Sequence, residues 1–168
     1  MRYLTVLWAD KDQCGGCRLC ELACSLRHEG ECAAEKARIR IMKRDDWGLD
    51  LPVYCRQCYK PKCVADCPTG ALTKNKVTGI VEINEEECIG CFECVAACPF
   101  GAIFIHPEKK TIVKCDLCGG SDPECVKICP LGALRLVRLE DLGKHKRELL
   151  LTKAAFRLKN QDNQEDCI

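Results

Sequence analysis

The chain has 168 residues, of which 18 are cysteine and only 5% are aromatic. That is room for one domain or two small ones, with too little large apolar material for an ordinary core, so covalent or metal cross-links are expected to carry the fold. A formal net charge of +1 gives no basis for nucleic-acid binding, and no apolar run approaches the roughly 18 residues that a membrane span needs.

Residues 2–8 alternate weakly and predict a strand. The opening Met1-Arg2-Tyr3-Leu4-Thr5-Val6-Leu7-Trp8-Ala9-Asp10 has no charged segment leading into a long apolar stretch, no small-residue cleavage site and no twin arginine. A cytoplasmic location with reduced thiols is therefore expected. Residues 17–28 predict a helix that runs on to about Gly30. Alternation of Arg38, Ile39, Arg40 and Ile41 predicts a half-buried strand over 37–43, followed by a loop over 45–52. Residues 71–74 and 80–83 flank 75–79 as a hairpin, and 102–106 and 111–114 flank Pro107-Glu108-Lys109-Lys110 as a second. Asp122 reads as an N-cap, Pro123 as the first helical residue and Glu124 as a first-turn acid, opening a short helix that ends at Cys129. Residues 133–138 predict a further strand. Over 144–160, Leu149, Leu150, Ala154 and Leu158 recur between Lys146, Arg147, Lys153 and Arg157, predicting a helix. Its apolar stripe either packs on the body or docks on a partner. Residues 161–168 are polar and expected to fray.

The cysteines fall into four groups. Cys14, Cys17, Cys20 and Cys24 are spaced C-x2-C-x2-C-x3-C. Cys55, Cys58, Cys63 and Cys67 are spaced C-x2-C-x4-C-x3-C. Cys88, Cys91, Cys94 and Cys98 repeat the first spacing. Cys115, Cys118, Cys125 and Cys129 are spaced C-x2-C-x6-C-x3-C. A proline follows each of the last three quartets, within Cys67-Pro68-Thr69-Gly70-Ala71-Leu72, Cys98-Pro99-Phe100-Gly101-Ala102-Ile103 and Cys129-Pro130-Leu131-Gly132-Ala133-Leu134. Three copies of C-P-x-G-A argue for duplication of one structural unit.

The third quartet matches the bacterial run for a [4Fe–4S] cubane. Three closely spaced cysteines wrap a loop around one cluster. The x3 gap is one helical turn, which aims the fourth thiolate away from its own loop toward a second cluster, and the proline stops the helix. Zinc is the competing metal, because C-x2-C pairs also serve zinc sites, but zinc sites rarely crowd cysteines this way. A disulfide framework is the other alternative. Each loaded site would add about −2, so four clusters would bring the oxidised protein to about −7, with lysines and arginines offsetting the buried charge. Arg56, Lys60 and Lys62 beside the second loop either raise the potential of that cluster or are solvated. Cys32 and Cys167 are read as non-ligand thiols, His28, His106 and His145 as surface or packing groups, and Trp8 and Trp47 as packing groups. There is no nucleophile–base pair and no phosphate loop, so no catalytic residue is assigned.

Over residues 1–140 the chain resembles the four-cluster ferredoxin subunits of molybdenum and tungsten oxidoreductases, the superfamily of the dimethyl sulfoxide reductase iron–sulfur subunit. Its short length, Cys24-Ser25-Leu26-Arg27-His28-Glu29-Gly30 and Ala37-Arg38-Ile39-Arg40-Ile41 look most like the small ferredoxin subunit of tungsten-dependent aldehyde oxidoreductase complexes. The resemblance implies an α+β fold of two nested ferredoxin-like units, an outer one from residues 1–54 and 99–138 and an inner one from 55–98 with some strand exchange, followed by a C-terminal helix and tail at 139–168. It implies four [4Fe–4S] clusters, held by Cys14, Cys17, Cys20 and Cys129; by Cys115, Cys118, Cys125 and Cys24; by Cys55, Cys58, Cys63 and Cys98; and by Cys88, Cys91, Cys94 and Cys67. All sixteen would bind through iron. The implied role is a non-catalytic electron-transfer subunit of a hetero-oligomer, serving a tungsten or molybdenum pterin subunit and exchanging electrons with a flavoprotein subunit or a soluble ferredoxin. Partnership with formate dehydrogenase, formate hydrogenlyase or carbon monoxide dehydrogenase stays open, as does a free-standing polyferredoxin or a purely structural metal protein.

Overall fold

In the computed structural model, which describes residues 5–120 and 122–162, strand β1 (Thr5–Ala9) pairs antiparallel with β8 (Leu134–Arg138). Leu7 faces Leu136, and both pack in one core. The two ends of the cysteine-bearing region are thereby clipped together. Residues 2–4 of the predicted strand lie outside the described residues.

Helix α1 (Leu19–Glu29) buries Cys20, Glu21, Cys24 and Ser25, a one-sided stripe at helical spacing. It ends on Gly30, whose φ of 76° is left-handed and whose N–H reaches Leu26 O at 3.0 Å. Glu21 is 1% exposed and accepts the Ile41 N–H at 2.7 Å, while Arg18 lies 2.8 Å from its other oxygen. This ties α1 to β2 (Ile39–Arg44), which pairs antiparallel with β3 (Leu49–Tyr54). The second half of the loop expected over 45–52 is therefore strand. A short turn at Asp45–Trp47 and left-handed Gly48 reverse the chain within four residues. Pro52, which argues against a strand, is tolerated opposite Ile41 because the sheet has only two strands and an open edge.

Two further hairpins follow as predicted but shorter: β4 (Leu72–Lys74) with β5 (Val81–Ile83), and β6 (Phe104–Ile105) with β7 (Ile112–Val113). Short helices α2 (Lys62–Ala65), α3 (Glu93–Ala97) and α5 (Glu124–Ile128) occupy the x3 gaps, and α4 (Leu117–Gly120) is a turn broken by left-handed Cys118 and Gly119. The start of α5 differs by one residue from expectation. Extended Pro123 is the cap residue, and Asp122 takes a φ of 51° with its carboxylate 2.6 Å from Lys127 instead of on a helix N–H.

Apolar side chains gather in two cores. The first holds Leu7, Ala37, Ile39, Ile41, Tyr54, Leu117 and Leu134 around Cys20, Cys24, Cys115 and Cys125, and Ile80 enters it from the β4–β5 hairpin. The second holds Leu72, Val81, Ile103 and Ile112 around Cys94, with Cys63, Cys67, Cys88 and Cys98 at its margin. Helix α6 (Leu142–Asp162) touches the body through His145, whose ring meets Trp8 edge-on at 5.8 Å, and through Lys146 over the same ring. Of the predicted stripe, Leu150 and Ala154 are exposed and do not pack on the body; Leu151 beside them is exposed as well. Trp47 is not a packing group either: it is 71% exposed and stacked only by Arg44. No described helix is long and apolar enough to cross a membrane.

Ile39→Ala removes a side chain that is 1% exposed in the first core and is expected to cost roughly 2–5 kcal/mol. Trp47→Ala is expected to stay within about 0.5 kcal/mol. Anaerobic guanidinium denaturation of the iron-loaded chain measures both.

Candidate metal centres

All four loops share one backbone device. The residue before the second cysteine has a left-handed φ: Gly16 at 61°, Gln57 at 50°, Gly90 at 66° and Leu117 at 55°. A left-handed residue inside such a turn points successive N–H groups to one side, forming a concavity suited to an anion. Gln57 and Leu117 bear side chains in this conformation, at a cost on the order of 1–3 kcal/mol each. Packing holds them there. Leu117 is 1% exposed; Gln57 donates from Nε2 to Cys115 O at 2.8 Å and accepts the Val81 N–H on Oε1 at 2.8 Å.

The C-P-x-G repeat is a second device. In each copy the glycine N–H donates to the cysteine carbonyl, at 3.3 Å for Gly70, 3.2 Å for Gly101 and 3.2 Å for Gly132. Proline at the second position and glycine at the fourth suit such a turn. It returns the chain over the cysteine, so the Ala102 N–H lies 3.4 Å from Cys98 Sγ. Ala71, Ala102 and Ala133 are buried at 2%, 1% and 2% exposure, which leaves room only for a small side chain beneath each turn.

Cys14, Cys17, Cys20 and Cys129 line one cavity, and Cys67, Cys88, Cys91 and Cys94 line another. Burial pushes the Cys14 thiol upward and neighbouring Asp50, Cys129 and Cys17 add to this; burial, Glu21, Cys14 and Cys17 push Cys20 up to about 12. Burial drives Cys115 up to about 12, with Cys24 and Cys55 adding. Burial, then Cys115, Cys24 and Cys118, raise Cys125 further. Burial, Cys55 and Cys98 raise both Cys58 and Cys63, the latter to about 11. Cys94 rises to about 11 through burial, Cys88, Cys91 and Cys67. Each loop triplet thus has close to it the last cysteine of a different quartet, and Cys55 lies close to Cys115 in the first core.

N–H groups aim at the sulfurs. Arg38 N–H lies 3.3 Å from Cys24 Sγ, and Leu117 N–H 3.5 Å from Cys115 Sγ. His28 has a place that the sequence reading missed. Its Nε2 stands 3.9 Å from Cys118 Sγ and 3.6 Å from Asp116, and burial followed by Arg38 holds its pKa below the ordinary value. Arg56, Lys60 and Lys62 are exposed; Arg56 stacks on Tyr54 and Phe100. The cations that act on the second loop's cysteines come from elsewhere. Lys74 lowers Cys58 and Lys114 lowers Cys63, each against the larger effect of burial. Cys32 is exposed, and Cys167 lies outside the described residues. No described cysteine is in a disulfide.

Sets of four thiols, with His28 and Asp116 as further donors beside Cys118, suit zinc or iron–sulfur clusters. Converging N–H groups and a buried Lys114 with no ion-pair partner among the described residues favour net negative charge at the sites, which a thiolate-held cubane supplies. Fold and site together define an iron–sulfur protein of ferredoxin type. Residues 46–139 match the 4Fe-4S dicluster domain family, and the chain belongs to it. It therefore carries multiple [4Fe–4S] clusters. The matched span contains quartets two to four; the first lies before it.

A polyferredoxin-like subunit of an aliphatic sulfonate oxidoreductase from Pyrococcus furiosus is 49% identical over 117 residues, covering 70% of this chain and 66% of that protein. The thiosulfate reductase electron transfer subunit PhsB of Salmonella typhi is 33% identical over 156 residues, covering 84% of this chain and 81% of its own. Among solved structures, a chain of the active site complex BamBC of benzoyl coenzyme A reductase is similar with a TM-score of 0.51 and 27% identity, over 82% of this chain and 77% of that one.

Gly16→Ala places a Cβ against the Asp50 carboxylate and forces alanine into a left-handed backbone worth roughly 1–2 kcal/mol. Gly48 is also left-handed, but its Cβ direction is open. Gly16→Ala is expected to lower both the thermal midpoint and the iron retained after anaerobic gel filtration. Gly48→Ala is expected to lower the midpoint alone.

Proposed function

We propose that this chain is the electron-transfer subunit of an oxidoreductase complex and holds four [4Fe–4S] clusters in a row. The first is held by Cys14, Cys17, Cys20 and Cys129, and the second by Cys115, Cys118, Cys125 and Cys24. The third is held by Cys55, Cys58, Cys63 and Cys98, and the fourth by Cys88, Cys91, Cys94 and Cys67. When bound, such clusters supply reversible one-electron chemistry. With every iron taken by a thiolate, no position is open to a substrate, so bond chemistry belongs to another polypeptide.

One observation carries this reading: the exchange of last cysteines between quartets. It links the first quartet to the fourth and the second to the third, as nested units require. The approach of Cys55 to Cys115 links the pairs, and that of Cys20 to Cys125 links the first two sites. An uninterrupted order from first site to fourth follows. Exposed Leu150 and Leu151 on α6 favour a subunit over a free-standing carrier.

For the partner we propose a tungsten or molybdenum pterin subunit, with an aldehyde oxidoreductase favoured, in a cytoplasmic complex that exchanges electrons with a flavoprotein subunit or soluble ferredoxin. The motif resemblance noted above supports this, as do relatives named as subunits of sulfonate oxidoreductase and thiosulfate reductase.

Anaerobic purification from the native cell is expected to yield about sixteen irons per chain, no zinc, and a co-purifying subunit containing tungsten or molybdenum. The exchange is tested separately. Cys98→Ala and Cys58→Ala are expected to alter the same component of the reduced electron paramagnetic resonance spectrum, and Cys94→Ala a different one. If Cys98→Ala instead alters the component that Cys94→Ala alters, the pairing is wrong.

A further inference from the structure

We infer that Lys114 and Lys74 make the site of Cys55, Cys58, Cys63 and Cys98 the most easily reduced of the four, so that the first electron entering the chain comes to rest there. This rests on the four-cluster reading above.

Lys114 stands just after β7 and is 1% exposed. Its ammonium donates to the Cys115 carbonyl at 3.0 Å. Among the described residues no carboxylate lies within ion-pair distance of it. A buried cation without a counter-charge is costly, and the negative charge within reach is that of the thiolates, Cys63 among them. Lys74 arrives from β4 on the other side. Its ammonium is held by the carbonyls of Gln57 at 3.4 Å, Cys58, and Tyr59 at 3.5 Å, so it clamps the loop that carries Cys55 and Cys58. It too has no acid within ion-pair distance among the described residues. Two lysines without an ion-pair partner among the described residues therefore flank this site, although Lys114 also lines a cavity with Glu82, Glu85 and Asp116.

The other three sites differ. Around Cys14 and Cys20 charges come in opposite pairs, Glu21 with Arg18 at 2.8 Å and Asp50 with Lys43 at 3.0 Å. In the Cys24–Cys115 site Arg38 is matched by Asp116 at 2.9 Å, and Lys114, held on the Cys115 carbonyl, is shared between this site and the third. The strongest influences on Cys94 are burial and the neighbouring thiols, and on Cys67 burial and hydrogen bonds. The Cys24–Cys115 site receives more N–H groups, but these are dipoles; a full buried charge has a longer reach and a larger effect at similar distance. Reduction adds one negative charge, and nearby positive charge favours the reduced state. The row of sites then contains an interior well rather than a steady slope.

The test uses the full chain loaded with iron under anaerobic conditions, with its four midpoints followed by electron paramagnetic resonance during potentiometric titration. Cys58→Ser first marks which signal belongs to the site. Lys114→Met is expected to lower the highest midpoint by about tenfold in the one-electron equilibrium, 59 mV, and to move the other three less. Lys114→Arg is expected to keep it. Lys74→Met is expected to lower the same midpoint, and because Lys74 is only half-buried it carries the test where Lys114→Met fails to fold. A highest midpoint that belongs to another signal overturns the inference while four-cluster loading stands. So does a highest midpoint that moves less than about threefold in both Lys→Met variants. Fewer than four one-electron steps in the unaltered chain would overturn the four-cluster reading, and this inference with it.

Discussion

In each cysteine loop the residue before the second cysteine turns left-handed, and the rest of the molecule is arranged around that turn. It collects N–H groups on the side where the thiols converge, a geometry of little use unless something negative occupies the middle. Two loops adopt it with glycine. The other two use Gln57 and Leu117, where the side chain makes the conformation unfavourable, so tertiary structure has to hold it. Gln57 spans from Cys115 to Val81 and Leu117 is packed in the first core. The cofactor loops and the cores therefore depend on each other: the loops cannot keep their shape without the cores, and the cores are part thiol.

That interdependence explains how so small a set of large apolar side chains supports a fold. No described sheet has more than two strands, and two-stranded ribbons are marginal alone. Stability has to come from what the ribbons enclose. Cys20, Cys24, Cys94, Cys115 and Cys125 are buried as fully as the leucines and isoleucines beside them. In the absence of metal their thiols are held protonated by burial. Iron binding replaces those protons, so the free energy of cluster binding becomes folding free energy.

Much of this was legible in the residues because cysteine spacing is rigid information. The C-P-x-G-A repeat foretold three like turns, and the alternation at Arg38 to Ile41 foretold β2. Long-range electrostatics left no such trace. Lys114 entered the sequence reading only as the end of the strand over 111–114, yet the hairpin before it packs in the second core with Cys63 at the margin and leaves Lys114 buried. Arg56, Lys60 and Lys62 read as near the second loop and are exposed, Arg56 lying over Tyr54 and Phe100. His28 lies four residues after Cys24 on α1, one turn further along the same face, and only the return of the fourth quartet brings Cys118 to it. β3 was missed because Asp50 and Pro52 are poor strand formers; register with β2 overrides their preference, which a two-stranded sheet allows.

Exposure within the cysteine set marks the two ends of the proposed relay. Cys17 and Cys91 are exposed, while Cys24, Cys115 and Cys125, on the second site, are buried. On the proposed assignment these exposed thiols belong to the first and fourth sites, the two ends of the row. An electron-transfer partner has to approach closely where the row meets solvent, and Leu19 and Leu131 near Cys17, and Ile89 and Phe100 in the third loop and its following turn, give each end an exposed apolar surface. Between the ends the second site is the more deeply buried and the cysteines of the third are half-buried, and burial strengthens a fixed charge beside them. Lys114, buried and held on the Cys115 carbonyl, therefore acts on the sites beside it more strongly than a solvated lysine at the same distance would.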